Sequence, residues 1–102
     1  TLTAIEAFGV TSLMTDSRNR LYANSDPIYL GSSQLKIDSL TDYTPIAIES
    51  FGGDDGNQLL LQHSSGRILT WSLSATWSRS GSIGWTDPSG FAALEAAFGI
   101  EL

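Results

Sequence analysis

Cysteine is absent from the 102 residues, which removes thiolate chemistry, disulfide staples and zinc ribbons and leaves the redox compartment open. Positive charge is scarce. Arg18, Arg20, Lys36, Arg67 and Arg79 stand scattered against 11 acidic residues, for a net charge of −6. Phosphate backbones are gripped by clustered Lys and Arg, so no nucleic-acid partner is expected. A basic amphipathic helix for an anionic membrane surface is missing too. Apolar runs such as Leu59-Leu60-Leu61 fall far short of the roughly 20 residues that span a bilayer, and no membrane insertion is expected. The chain opens at Thr1 without Met or signal peptide and reads as a piece of a longer or processed protein.

What is abundant is small and polar: 15 Ser, 9 Thr and 10 Gly. With 41% hydrophobic and 16% charged residues, this is a foldable, turn-rich, β-rich composition rather than a disordered one. The length suits one domain over residues 1–102 with one ordinary core. Low charge with much Ser and Thr leans toward an extracellular or cell-surface setting.

The chain echoes itself. Ile5-Glu6-Ala7-Phe8-Gly9 returns as Ile48-Glu49-Ser50-Phe51-Gly52, 43 residues later. Each copy is followed by an apolar strand, a polar turn and a second strand, at 12–15, 16–19 and 20–23, then at 59–62, 63–66 and 67–71. Asn19 and Gly66 hold equivalent turn positions, and both tolerate the left-handed backbone a hairpin asks for. Two pseudo-repeats, about 4–24 and 47–73, follow from this pattern.

Alternation in 67–73 puts Leu69, Trp71 and Leu73 on one face, the signature of a sheet with a face on a core. Shorter strands are predicted at 27–30 and 34–37, split by a Gly31-Ser32-Ser33 turn. Another is predicted over 45–51, with Pro45 at its first position. The period then changes. Asp87 is suited to cap a helix over about 88–98, Pro88 to its first turn, and Gly99 to a left-handed stop. Phe91, Leu94 and Phe98 share its docking face. The expected fold is mainly β (α+β): an antiparallel β-meander sheet or sandwich built from two pseudo-repeats, with one C-terminal α-helix docked on it.

The phrases Ala4-Ile5-Glu6-Ala7-Phe8-Gly9, Tyr43-Thr44-Pro45-Ile46-Ala47-Ile48-Glu49, Ile68-Leu69-Thr70-Trp71 and the terminal 92–102 segment resemble a tryptophan-rich domain. That domain is found, often repeated or near the C-terminus, in large secreted or surface proteins of cyanobacteria and some other bacteria. The resemblance covers nearly the whole chain and implies a non-catalytic module of a secreted protein. Only Trp71, Trp77 and Trp85 of the family's several tryptophans are present. Its closing helix often runs into an Asn-Gly-Asp-Gly calcium loop. Here no second ligand follows Glu101, so the resemblance carries no calcium ligand.

Among candidate chemistries, Glu6 and Glu49 form the paired carboxylates a small glycoside hydrolase would use. Their equivalent places in the echo are explained more simply by two pseudo-related Glu–Arg pairs with Arg20 and Arg67. His63 lacks the converging partners of a catalytic base and reads as a turn residue equivalent to Asp16. Asp54, Asp55 and Asn57 are the candidate calcium ligands, although EF-hand spacing is missing. Asp38 and Asp42 make a second, looser oxygen cluster. Trp71 reads as core. Trp77 and Trp85, in the Ser/Gly-rich 75–86 stretch, with Tyr29 and Tyr43, are the candidate ligand-binding residues: flat rings beside hydroxyls suit a sugar. The expectation is therefore attachment or assembly through a glycan, another surface protein, or neighbouring copies or domains of the same chain, without catalysis or an obligatory cofactor.

Overall fold

The computed structural model describes residues 2–7, 11–51 and 56–100. Strands β1 (Thr3–Glu6), β2 (Leu13–Thr15), β3 (Leu21–Ala23) and β4 (Asp26–Pro27) make a small antiparallel sheet in chain order. A two-stranded hairpin, β5 (Tyr29–Leu30) and β6 (Ser33–Gln34), and a 3₁₀ turn at Ile37–Ser39 lead to the larger sheet. This is a second antiparallel meander: β7 (Tyr43–Ser50), β8 (Asn57–His63), β9 (Ile68–Leu73) and β10 (Arg79–Thr86). Helix α1 (Phe91–Phe98) closes the fold.

The molecule is layered, with the larger sheet in the middle. Its inner face buries Ile48, Leu59, Leu61, Leu69, Trp71 and Leu73. Against these pack Leu13, Leu21 and Ala23 of the small sheet, with Ile28, Leu35 and Leu40 from the connecting segment. Its outer face carries Ala47, Leu60 and Ile68 under Phe98 of α1, flanked by Phe91, Leu94 and Ile100. Cover on both faces explains Leu59-Leu60-Leu61, since a strand buried on both sides reads as a continuous apolar run. Trp71 is core, as expected.

The helix runs eight residues, about 12 Å at 1.5 Å per residue. Gly99 ends it at φ 65°, its N–H donating to the Glu95 carbonyl. Its beginning differs from the expected 88–98. Pro88–Gly90 form a 3₁₀ turn, and Asp87 makes no side-chain cap. The Asp87 carboxylate is engaged elsewhere, accepting from Arg67 Nε at 2.8 Å.

Three hairpins share one geometry. In 16–20 the N–H of Asp16 donates to the Arg20 carbonyl, and Asn19, at φ 62°, donates back to the Asp16 carbonyl. In 63–67, His63 and Gly66 (φ 94°) make the same pair of bonds with Arg67 and His63. In 74–78, Ser74 and Trp77 (φ 64°) repeat them with Ser78 and Ser74. The first residue's side chain also accepts the N–H two positions on: Asp16 Oδ1 from Arg18, His63 Nδ1 from Ser65, Ser74 Oγ from Thr76. The left-handed backbone at 19 and 66 is the one foreseen. The third turn, with Trp at the left-handed position, has no signal in its residue type, because bulky side chains avoid positive φ.

Other elements depart from the pattern reading. Pro45 is the third residue of β7 and sits at a register shift between Pro45 and Ala47. It is tolerated because β7 is an edge strand. Strand β10 has no legible alternation: Ser and Gly fill it, and its register slips at Arg79/Gly81 and Ser82/Gly84. The 27–30 and 34–37 strands shrink to two residues each, because Ile28 and Leu35 turn into the core and Ile37 enters the 3₁₀ turn. The two sheets share meander order but not strand length, at two to four residues against six to eight.

Candidate functional site

Unequal sheets leave part of the inner face uncovered. Register pairs Pro45 with Leu61 and Leu61 with Leu69, and the next inward row is Tyr43, His63 and Arg67. None of those three is fully buried. Trp85, paired with Leu69 on the far edge strand, leans toward the same end and is 42% exposed.

The side chains meet there. Tyr43 and His63 stand edge to face with centroids 5.0 Å apart. His63 and Trp85 do the same at 5.5 Å, and Tyr43 and Trp85 are tilted neighbours at 6.1 Å. The Arg67 guanidinium lies over the Trp85 ring, 4.8 Å from its centroid, and is held by Asp87. A guanidinium over an indole is attracted by the ring quadrupole. Asp87 thus steadies the cation that steadies the indole.

Beside this group opens a depression of about 420 Å³, lined by Asp42, Tyr43, Thr44, Gln62, His63, Ser64 and Gly66. That volume lies within the range of small-ligand clefts. Tyr43 and His63 are among its lining residues, while the register turns the Thr44 and Gln62 side chains to the outer face, opposite the rings. The Ser65 N–H lies 3.1 Å and the Ser65 hydroxyl 2.8 Å from His63 Nδ1, tying the ring to the turn.

Of the four expected contact residues, Tyr43 and Trp85 come together. Tyr29 and Trp77 are a separate pair: the Tyr29 N–H donates to the Trp77 carbonyl at 2.9 Å. Tyr29 is exposed, whereas Trp77 is half-buried against the inner core. His63 is the residue sequence reasoning undervalued. It opens the 63–67 turn as Asp16 opens 16–20, and it is also the last residue of β8, where its ring links Tyr43 to Trp85. The available signal was register, since 63 lies two residues beyond Leu61 on the same face.

Glu6 and Glu49 also meet, in a different place. Glu6 is buried, and its Oε1 accepts the outward N–H of Ile48 on the edge of β7 at 3.1 Å. Glu49 is 5% exposed and its Oε1 has no hydrogen-bond partner. Burial, then the charge of Glu6, pushes the Glu49 carboxyl up, against a lowering bond from the Ser50 N–H. The expected Glu–Arg pairs do not form. Arg20 is bound to Asp16 at 2.6 Å and Arg67 to Asp87, each cation taking the acid its own hairpin brings nearest.

Asp54 and Asp55 lie outside the described residues. The Asn57 amide donates to the Ser74 carbonyl at 2.9 Å, joining β8 to the third hairpin. Asp38 accepts from Asn19 at 3.5 Å, while Asp42 sits at the groove with φ 67°. Among the described residues no three His, Asp or Glu side chains gather as a metal site would need. No helix among them is long and apolar enough to cross a membrane. Comparison with protein-family models, curated proteins and solved structures finds no match for the chain.

Proposed function

We propose that this chain is a non-catalytic binding module of a larger secreted or cell-surface protein and that it attaches by holding carbohydrate against the Tyr43–His63–Trp85 ring cluster. The observation that carries the reading is the convergence of the Tyr43, His63 and Trp85 rings, with Trp85 42% exposed. Sugars stack their C–H faces on a flat apolar surface, and three neighbouring rings at one end of the sheet supply one. The resemblance to the tryptophan-rich domain of secreted bacterial proteins supports the setting. The alternative, a glycoside hydrolase acting through Glu6 and Glu49, is the weaker reading: both carboxyls are buried and Glu6 is committed to the β7 backbone.

The test is a glycan array with the purified chain, run with millimolar calcium and again with chelator. The calcium arm separately probes Asp54, Asp55 and Asn57. A retained sugar should bind Trp85→Ala at least roughly tenfold more weakly, a difference of about 1.4 kcal/mol. Tyr29→Ala, away from the ring cluster, should bind as the parent does. Equal retention by folded Trp85→Ala would reject this ring cluster.

A further inference from the structure

The two edges of the larger sheet are unlike. On β7, Pro45 has no N–H to offer, and the Ile48 N–H already donates to Glu6 Oε1. Proline and an inward-turned carboxylate are common guards of a sheet edge. On β10 the run 80–86 carries neither charge nor proline, and β9 is its one neighbour in the sheet. Tyr29 bridges Ser78, just short of the strand. Register slips can themselves blunt an edge. Here they leave Ile83, at 56% the most exposed of the large apolar side chains described, at the midpoint of that run. A Cβ at Gly81 or Gly84 would meet nothing within 4 Å, so the backbone on either side of Ser82 and Ile83 is bare to a second strand.

The two ends of β10 carry opposite charges. Arg79 opens the strand and lies over Trp71 on the inner face, 4.8 Å from the ring centroid. It donates to the Ser82 hydroxyl and meets no carboxylate among the described residues. Asp87 follows the last residue, on the same face, where Arg67 Nε donates to its Oδ1 and leaves Oδ2 open. Both side chains are exposed. Arg79 and Asp87 stand four residues to either side of Ile83. Antiparallel pairing of β10 with its own copy, about a two-fold axis at Ile83, therefore sets Arg79 of each chain opposite Asp87 of the other. Residues directly opposite in an antiparallel pair share a face, as these two do. Pairing of β10 with β7 would instead meet Pro45 and Glu6, which favours a closed two-fold contact over an open chain of copies.

We infer that β10 is a docking edge for a second copy of this chain, paired about Ile83 and fixed in register by Arg79 and Asp87. The two larger sheets then continue as one, with both ring clusters on the same face. An edge contact buries less than the roughly 800 Å² per partner of a standard interface, so the dimer is weak and concentration-dependent.

Sedimentation equilibrium of the parent chain from about 10 µM to about 1 mM should show monomer and dimer and nothing larger. Ile83→Lys, at an exposed site, should remove the dimer. Arg79→Glu and Asp87→Lys, each alone, set like charges together at both ends and should dimerise roughly tenfold more weakly or worse. Their equimolar mixture restores opposite charges at both ends and should dimerise as the parent does. A parent that stays monomeric throughout, or that grows beyond dimers, would overturn the inference. Dimers that survive Ile83→Lys would overturn it as well, by placing the contact elsewhere. A mixture no more associated than its two components would overturn the register given to Arg79 and Asp87.

Discussion

Asp16 places four donors on one carboxylate. Oδ1 accepts the Arg18 and Arg20 N–H groups at 2.9 and 3.0 Å, and Oδ2 accepts Arg20 Nε at 2.6 Å and the Tyr22 hydroxyl at 2.9 Å. Partial burial works to raise the carboxyl, but the bonds from the Arg20 N–H and guanidinium, the Arg18 N–H and the Tyr22 hydroxyl outweigh it. They hold the group well below the usual carboxylate range. A carboxyl depressed in the folded state stabilises the fold fully above its unfolded pKa, and that stabilisation is lost as pH falls through the acid range. Asp16→Asn turns an NH₂ toward Arg20 or Tyr22, setting donor against donor. Thermal melts should show a Tm lower by several degrees at pH 7 and a shallower loss of stability on acidification than in the parent. Trp77 shows the opposite balance. Its left-handed backbone is unfavourable for a bulky residue, and its half-burial against the inner core offsets that cost.

Among the elements, the contact of β1 with the edge of β7 has its own pH response. Glu49 is raised, so the folded protein holds a proton there that the unfolded chain gives up. Stability from this group is therefore greatest below the unfolded carboxylate pKa and declines as pH rises through the folded value. Glu49→Gln mimics the protonated form and offers an amide donor beside Glu6. Its Tm should match the parent's near pH 3 and exceed it at pH 7; a lower Tm at pH 7 would show that the ionised form is the stabilising one. The elements also show where pattern reading succeeds. Strands β7 and β9 and the Phe stripe of α1 were legible because burial imposes a period on them, and β8 because cover on both faces makes it a continuous apolar run. Strand β10 was not, since an edge strand of Ser and Gly with two register slips buries little and needs no alternation. The Asp87 cap failed for a different reason: a carboxylate good for capping is also good for a guanidinium, and Arg67 is brought to it by the register of β9 with β10. Tyr43 and Trp85 were identifiable as exposed aromatics, but their meeting through His63 depends on a register that composition does not carry.

The molecule as a whole is a broad sheet roofed on one side by a smaller one and on the other by a helix. A strand advances about 3.3 Å per residue, so two- to four-residue strands cannot cover the inner face of six- to eight-residue ones. The candidate site lies on the overhang, at the end where the 63–67 hairpin turns. The shared turn geometry gives that location an unusual experimental property. Positions 16, 63 and 74 are interchangeable sockets: each needs an acceptor that reaches the N–H two residues on, and Asp, His and Ser already serve in one molecule. His63→Asp therefore installs a plug the protein itself has validated at 16 while deleting only the imidazole. It should fold with a circular-dichroism spectrum and Tm close to the parent's yet lose carbohydrate retention, whereas a variant that failed to fold would make the imidazole part of the scaffold. The chain thus supplies the blank for its own binding assay, written in the turn that precedes β3.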